Sequence, residues 1–245
     1  MSNTTLASRL LHLLDLTSLG EDDTPGHIRD VCASARTAHG LPAAVCVYPE
    51  HVTTARAALA GTPVRIATVV NFPEGGDDPQ RVHRETRRAI AAGADEIDMV
   101  LAWRALKAGD AARARKGVDV CRLACGEGIT LKLILETGEL ASPDLIRQAC
   151  ELGLDAGVDF LKTSTGKVPV NATLAAAAVM LDAIAERGGR CGIKVAGGIR
   201  TLAEAGEYLS LVEAHLGLNW ATPARFRIGA SALFDAICSE LTQQP

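Results

Sequence analysis

Aromatic side chains are scarce in this chain: Phe, Tyr and Trp make up 3% of 245 residues. Because 48% of the residues are nevertheless hydrophobic, the core has to be aliphatic, built from Ala, Val, Leu and Ile. Positive charge is not in excess either. The net charge is -4 with both signs scattered, which argues against the basic face of a nucleic-acid binder. The basic stretches Arg81–Arg88 and Arg113–Lys116 fall in helical pattern and read as solvated helix faces. The seven cysteines include no C-x-x-C pair. Cys121 and Cys125 have helical spacing, and Cys32 and Cys150 lie among apolar neighbours, as buried thiols do in a reducing compartment. No apolar run reaches membrane-spanning length, and no signal-peptide pattern opens the chain; a cytoplasmic protein away from membranes is expected. The histidines (His12, His27, His39, His51, His83 and His215) lie in helical segments or at helix edges and read as surface or packing residues. No metal and no other cofactor is expected.

What is present is an alternation of short apolar runs and amphipathic segments. Strands are expected over Leu10–Leu16, Ala43–Tyr48, Arg65–Val70, Glu96–Leu101, Thr130–Glu136, Asp159–Thr163, Gly192–Ala196 and Arg225–Gly229. Helices are expected between them, from Thr24 and Pro25 to Ala38, His51–Ala60, Pro79 to near Gly93, Trp103–Glu127 with a break at Gly109, Asp144–Ala156, Asn171–Arg187, Leu202–Leu216, and from Leu233 onward. Thr24 followed by Pro25 is an N-cap with proline at the first helical position. Eight Val- and Ile-rich strands, each followed by a helix, fit an α/β fold with one closed (β/α)8 TIM barrel spanning 1–245. AAGADEID (Ala91–Asp98) and DAGVDFLK (Asp155–Lys162) form a weak internal echo. The competing fold is an open doubly wound sheet, which lacks support because no G-x-G-x-x-G follows the first strand.

The stretch DFLKTSTGK (Asp159–Lys167) organises this pattern. A lysine in an apolar strand is costly to desolvate, which lowers its pKa, and a free amine is a carbonyl nucleophile. The hydroxyl residues and Gly166-Lys167 that follow resemble a strand ending at a phosphate site. In a barrel, charged strand residues converge on the C-terminal ends of the strands. Asp15, Asp98, Lys132, Lys162 and Lys194 are such residues, and Glu136 closes the strand of Lys132 with the same parity. Acids and lysines gathered there can neutralise one another, and a second ammonium lowers the pKa of a neighbouring lysine. Amine, ammonium and carboxylate are the parts of imine chemistry. A purely stabilising ion-pair network is the plainer alternative. Gly166-Lys167, Gly197-Gly198 with Arg200, and Gly229 with Ser231 mark three strand ends suited to a phosphorylated ligand, the last two where barrels commonly bind phosphate. Cys46 has the parity to face the barrel mouth.

The motifs DLTSL at Asp15, VCVYP at Val45, RIATVVNFPEG at Arg65, GADEIDMV at Gly93, LKLILETGEL at Leu131, DFLKTSTGK at Asp159, KVAGGIR at Lys194 and RIGAS at Arg227 occur in one order along nearly the whole chain. In these the chain resembles the deoxyribose-phosphate aldolases. The resemblance implies a metal-free class I aldolase that cleaves 2-deoxy-D-ribose 5-phosphate reversibly to D-glyceraldehyde 3-phosphate and acetaldehyde. It implies Lys162 as the Schiff-base lysine, Lys194 as the second active-site lysine and Asp98 as the carboxylate of the proton relay. Asp15 and Thr17 would lie near the sugar hydroxyls, and Gly166, Lys167, Gly197, Gly198, Arg200, Gly229 and Ser231 in the phosphate region. The expected partners are small molecules, a phosphorylated deoxysugar and aldehydes, with a homodimer as a compatible assembly. Val195 stands where many relatives have Pro, and Ala232 where many have Ser. The sequence closes on Gln244-Pro245 without the C-terminal tyrosine of some members. A sugar-phosphate isomerase and a non-catalytic sugar-phosphate binder on the same barrel are the rival readings.

Overall fold

The computed structural model describes residues 2–242; Gln244 and Pro245 lie outside them. Eight parallel strands pair in chain order, and the eighth returns to the first to close a barrel. They are β1 (Leu14–Ser18), β2 (Ala44–Val47), β3 (Arg65–Val70), β4 (Glu96–Val100), β5 (Thr130–Ile134), β6 (Phe160–Lys162), β7 (Gly192–Ala196) and β8 (Phe226–Ala230). The helices are α1 (Asn3–His12), α2 (Pro25–Ser34), α3 (Val52–Ala58), α4 (Pro79–Ala91), α5 (Trp103–Lys107), α6 (Ala111–Cys125), α7 (Thr137–Leu140), α8 (Pro143–Asp155), α9 (Leu174–Glu186), α10 (Leu202–Leu216) and α11 (Ala232–Thr242).

Local sequence sets the helix starts. Asp78 accepts hydrogen bonds from the amides of Gln80 and Arg81 ahead of Pro79, and Thr201 and Glu204 form a capping box. Gly109, at φ 84°, divides the expected Trp103–Glu127 helix into α5 and α6. Two expectations need correction. Residues 10–12 belong to α1, not to the first strand: Ser2 caps that helix, and Ala7, Leu10 and Leu11 bury its inner face where it packs on α10 and α11. The strand expected to reach Glu136 ends at Ile134, and Glu136 itself turns left-handed at φ 59°, ψ 59°.

The aliphatic core lies between the barrel wall and the helices. The barrel interior is different. On the β2–β3 side it holds the small apolar set Ala44, Cys46, Ala67 and Val69. Elsewhere it is filled by charge: Asp15, Glu96, Asp98, Lys132 and Lys194 are at most 1% exposed. No described helix is long and apolar enough to cross a membrane.

Candidate active site

Register explains why these charges meet. Asp98 on β4 is the neighbour of Lys132 on β5, Lys162 on β6 is the neighbour of Lys194 on β7, and Lys194 is the neighbour of Arg227 on β8. Alternate residues of each strand face inward, so Glu96 and Asp98 share a face, as do Phe160 and Lys162. The guanidinium of Arg227 sits over the Phe160 ring, 5.7 Å from its centroid, which places one apolar surface beneath the charged layer.

Three carboxylates, Asp15, Glu96 and Asp98, face four cations, Lys132, Lys162, Lys194 and Arg227. Lys132 Nζ lies 2.5 Å from Glu96 Oε2 and 2.7 Å from Asp98 Oδ1. Lys194 Nζ lies 2.5 Å from Asp15 Oδ2 and 2.8 Å from Asp98 Oδ2. Arg227 donates to Asp15 Oδ1 at 2.5 Å and to Glu96 Oε1 at 3.0 Å. Lys162 Nζ has one carboxylate partner in this set, Asp98 Oδ2, at 2.9 Å. The cluster balances when one cation gives up its proton, and Lys162 holds the weakest claim to one. Burial pushes its ammonium pKa below the ordinary lysine value; Asp98 opposes this and the Lys194 ammonium adds to it. Burial acts on Lys194 and Lys132 in the same direction, but there the carboxylates outweigh it and both are held above the usual value. Asp98, in spite of its burial, is kept well below the usual carboxylate range by the three lysines. The arrangement therefore favours the neutral amine at Lys162 more than at Lys194 or Lys132.

Lys162, 3% exposed, opens into a cavity of about 510 Å³ at the C-terminal ends of the strands. Thr17, Gly166, Lys167, Gly197, Gly198, Arg200, Gly229 and Ser231, all expected at the site, line it. Asp15, Asp98 and Lys194 lie beneath it in the ion cluster, and Asp15 reaches Thr17 through its carbonyl, which accepts from Thr17 Oγ1 at 2.8 Å. Gly198 needs its φ of +86° for the turn, and at Gly229 a Cβ would come within 3.0 Å of Lys194 Cε. The second of these glycines thus makes room for the end of the Lys194 stem. Cys46 is fully buried in the inner apolar set, and burial raises its thiol pKa; the charges of Lys194, Asp98 and Lys162 act on it. A larger cavity, of about 740 Å³, opens at the other end of the barrel past Arg65, Glu96, Phe160 and Arg227.

Sequence reasoning missed Glu96 and Arg227 as members of the cluster. The signal was parity: Glu96 stands two residues before Asp98, and Arg227 two before Gly229. It also missed His27 and Asp23, which line the cavity. Asp23 Oδ2 accepts from Ser18 Oγ at 2.9 Å and from the Gly20 amide at 3.0 Å, which shapes the loop after β1. Lys167 Nζ reaches that loop and donates to the carbonyl of Leu19 at 2.7 Å.

The family model of DeoC/LacD aldolases matches residues 9–218. A provisionally assigned deoxyribose-phosphate aldolase from Coccidioides immitis is 30% identical, with a TM-score of 0.84 over 95% of this chain and 86% of that one. Another, from Toxoplasma gondii ME49, is 28% identical, with a TM-score of 0.90 over 99% of this chain and 98% of that one. The deoxyribose phosphate aldolase from Aeropyrum pernix, whose structure is described as tetrameric, shares 23% identity with a TM-score of 0.75 over 97% of this chain and 92% of that one; at that distance it bears on the fold alone.

Proposed function

We propose that this chain, which belongs to the DeoC/LacD family of aldolases, cleaves 2-deoxy-D-ribose 5-phosphate reversibly to D-glyceraldehyde 3-phosphate and acetaldehyde through a Schiff base on Lys162. The observation that carries the reading is the asymmetry of the two lysines on Asp98. Lys194 is held by two carboxylates and Lys162 by one, at the floor of a cavity rimmed by glycines, Lys167 and Arg200.

The free amine of Lys162 attacks the C1 aldehyde of the open-chain sugar, and loss of water leaves an iminium. Asp98, through Lys194 and water, removes the proton of the C3 hydroxyl. The C2–C3 bond breaks, its electron pair passes to the iminium, and an enamine and D-glyceraldehyde 3-phosphate result. Protonation at C2 and hydrolysis release acetaldehyde and restore the amine. Asp98 is too acidic to be an effective base alone, because the lysines stabilise its anion; the bridging ammonium of Lys194 supports a relay instead. Gly166, Lys167, Gly197, Gly198, Arg200, Gly229 and Ser231 form the phosphate end, where the first turn of α11 adds backbone amides. The whole chain acts as one catalytic domain in this reading, and its seven free cysteines support a reducing cytoplasm.

The test is product analysis with 2-deoxy-D-ribose 5-phosphate. Acetaldehyde and D-glyceraldehyde 3-phosphate should form in equal amounts, and Lys162→Met should abolish both. An isomerase or a binder would release neither.

A further inference from the structure

Glu136 lies outside the ion cluster, yet it is fully buried. Among the described residues no Lys or Arg approaches it within ion-pair distance. Its left-handed backbone, φ 59° and ψ 59°, is a conformation that residues other than Gly, Asn and Asp seldom adopt. A desolvated carboxylate and an unfavourable backbone at one position call for a compensating interaction. That interaction is with one residue. Thr165 donates its backbone amide to Glu136 Oε1 at 3.1 Å and its hydroxyl to Oε2 at 2.6 Å. The same hydroxyl oxygen accepts the amide of Lys167 at 3.0 Å. Next to it, the amide of Thr137 donates to the carbonyl of Thr163 at 2.9 Å. The chain that enters the Gly166-Lys167 turn is thus tied at Thr163 and Thr165 to the chain that leaves β5, and the Thr165 hydroxyl in turn holds the Lys167 amide.

Resting on the aldolase reading above, we propose that Glu136 is a positioning residue: by holding both donors of Thr165 it fixes the turn after Lys162 and so aims Gly166 and Lys167 at the substrate phosphate. A carboxylate suits this task because each oxygen only accepts. A purely structural plug in this space could be apolar, and would avoid the cost of burying charge.

Glu136→Gln keeps the volume but presents an NH2 to one of the two Thr165 donors. Thr165→Val removes the hydroxyl from the other side and keeps the backbone amide. The measurements are KM and kcat for deoxyribose 5-phosphate and for unphosphorylated deoxyribose, with Tm alongside. KM for the phosphorylated sugar should rise roughly tenfold or more, as for loss of one charge-assisted hydrogen bond, and KM for the free sugar should change little. The double variant should be no worse than the poorer single one, since both act on one contact. If Glu136→Gln fails to fold, Thr165→Val carries the same comparison. Equal losses for both sugars, or no change for either, would overturn the proposal. Parent protein that traps acetaldehyde on Lys162 while the variants keep the parental ratio of the two KM values overturns this inference alone. Parent protein that neither traps acetaldehyde nor cleaves the sugar overturns the aldolase reading, and this inference with it.

Discussion

Lys162 and Lys194 aim their amines at the same oxygen: Asp98 Oδ2 lies 2.9 Å from Lys162 Nζ and 2.8 Å from Lys194 Nζ. One carboxylate oxygen cannot stabilise two ammonium groups as well as it stabilises one. The second carboxylate on Lys194, from Asp15 at 2.5 Å, favours the proton on Lys194 over Lys162. In the proposed reaction that difference selects the nucleophile.

Lys194→Met should therefore raise the pKa of Lys162, because removing a positive neighbour favours the ammonium. The pH at which imine forms would move upward and turnover at neutral pH would fall severely. Lys194→Arg keeps a charge but relays a proton poorly, and should preserve more of the pKa depression than of the turnover. Quench-trapping against pH in the three proteins reads both effects. An unchanged midpoint in Lys194→Met would leave burial alone to account for the free amine.

Arg227→Met should be destabilising, by up to about 3–5 kcal/mol, because it takes one of their cations from the buried carboxylates of Asp15 and Glu96 and leaves Lys194 and Lys132 alone to pair with them. The effect also depends on pH. Although burial raises the pKa of Asp15, its cations outweigh this and hold the folded value below the unfolded one. Asp15 therefore contributes stability above the unfolded pKa of about 3.9, and this is lost as pH falls toward the folded value. Without Arg227 the depression is smaller, so folded Asp15 takes up its proton at a higher pH in the variant, and acid unfolding of the variant should set in at a higher pH than that of the parent. Acid unfolding of the two proteins at the same pH would contradict the assignment.

Arg200 lines the cavity on the turn after β7. Arg200→Ala should raise KM for deoxyribose 5-phosphate by the loss of one charge-assisted hydrogen bond, about 1.5–3 kcal/mol, and spare unphosphorylated deoxyribose. Steady-state kinetics on both sugars decide it; equal losses would make Arg200 a structural residue.

Cys46 faces the interior from β2, among the side chains that surround the ion cluster. An α,β-unsaturated aldehyde such as crotonaldehyde should form an imine with Lys162, after which the Cys46 thiol can add to its β-carbon. Cys46→Ser should resist this inactivation. Because burial raises the thiol pKa, inactivation of the parent should quicken as pH rises. Loss of activity at the parental rate in Cys46→Ser would assign the second bond elsewhere.

The barrel was legible because the strands are short, mostly apolar runs alternating with amphipathic helices, and Arg65–Val70 and Gly192–Ala196 match their expected bounds. The first helix was not, since its outward residues are polar and its buried face rests on Ala7, Leu10 and Leu11, supplied with partners only by α10 and α11. Lys162, Lys194 and Asp98 stood out as charges inside apolar strands. Glu96 and Arg227 sit at or near strand starts, where a charge ordinarily meets solvent; only the closed barrel turns them inward. The left-handed turn at Glu136 could not be read, because its cause is a contact with Thr165, twenty-nine residues on.

The central claim is that Lys162 is the covalent residue. Incubation with acetaldehyde, reduction with borohydride and peptide mass mapping test it directly. A two-carbon addition is expected, confined to the peptide that contains Lys162 and absent from Lys162→Met. An adduct recovered instead on Lys132 or Lys194, or no adduct on the active protein, would contradict it.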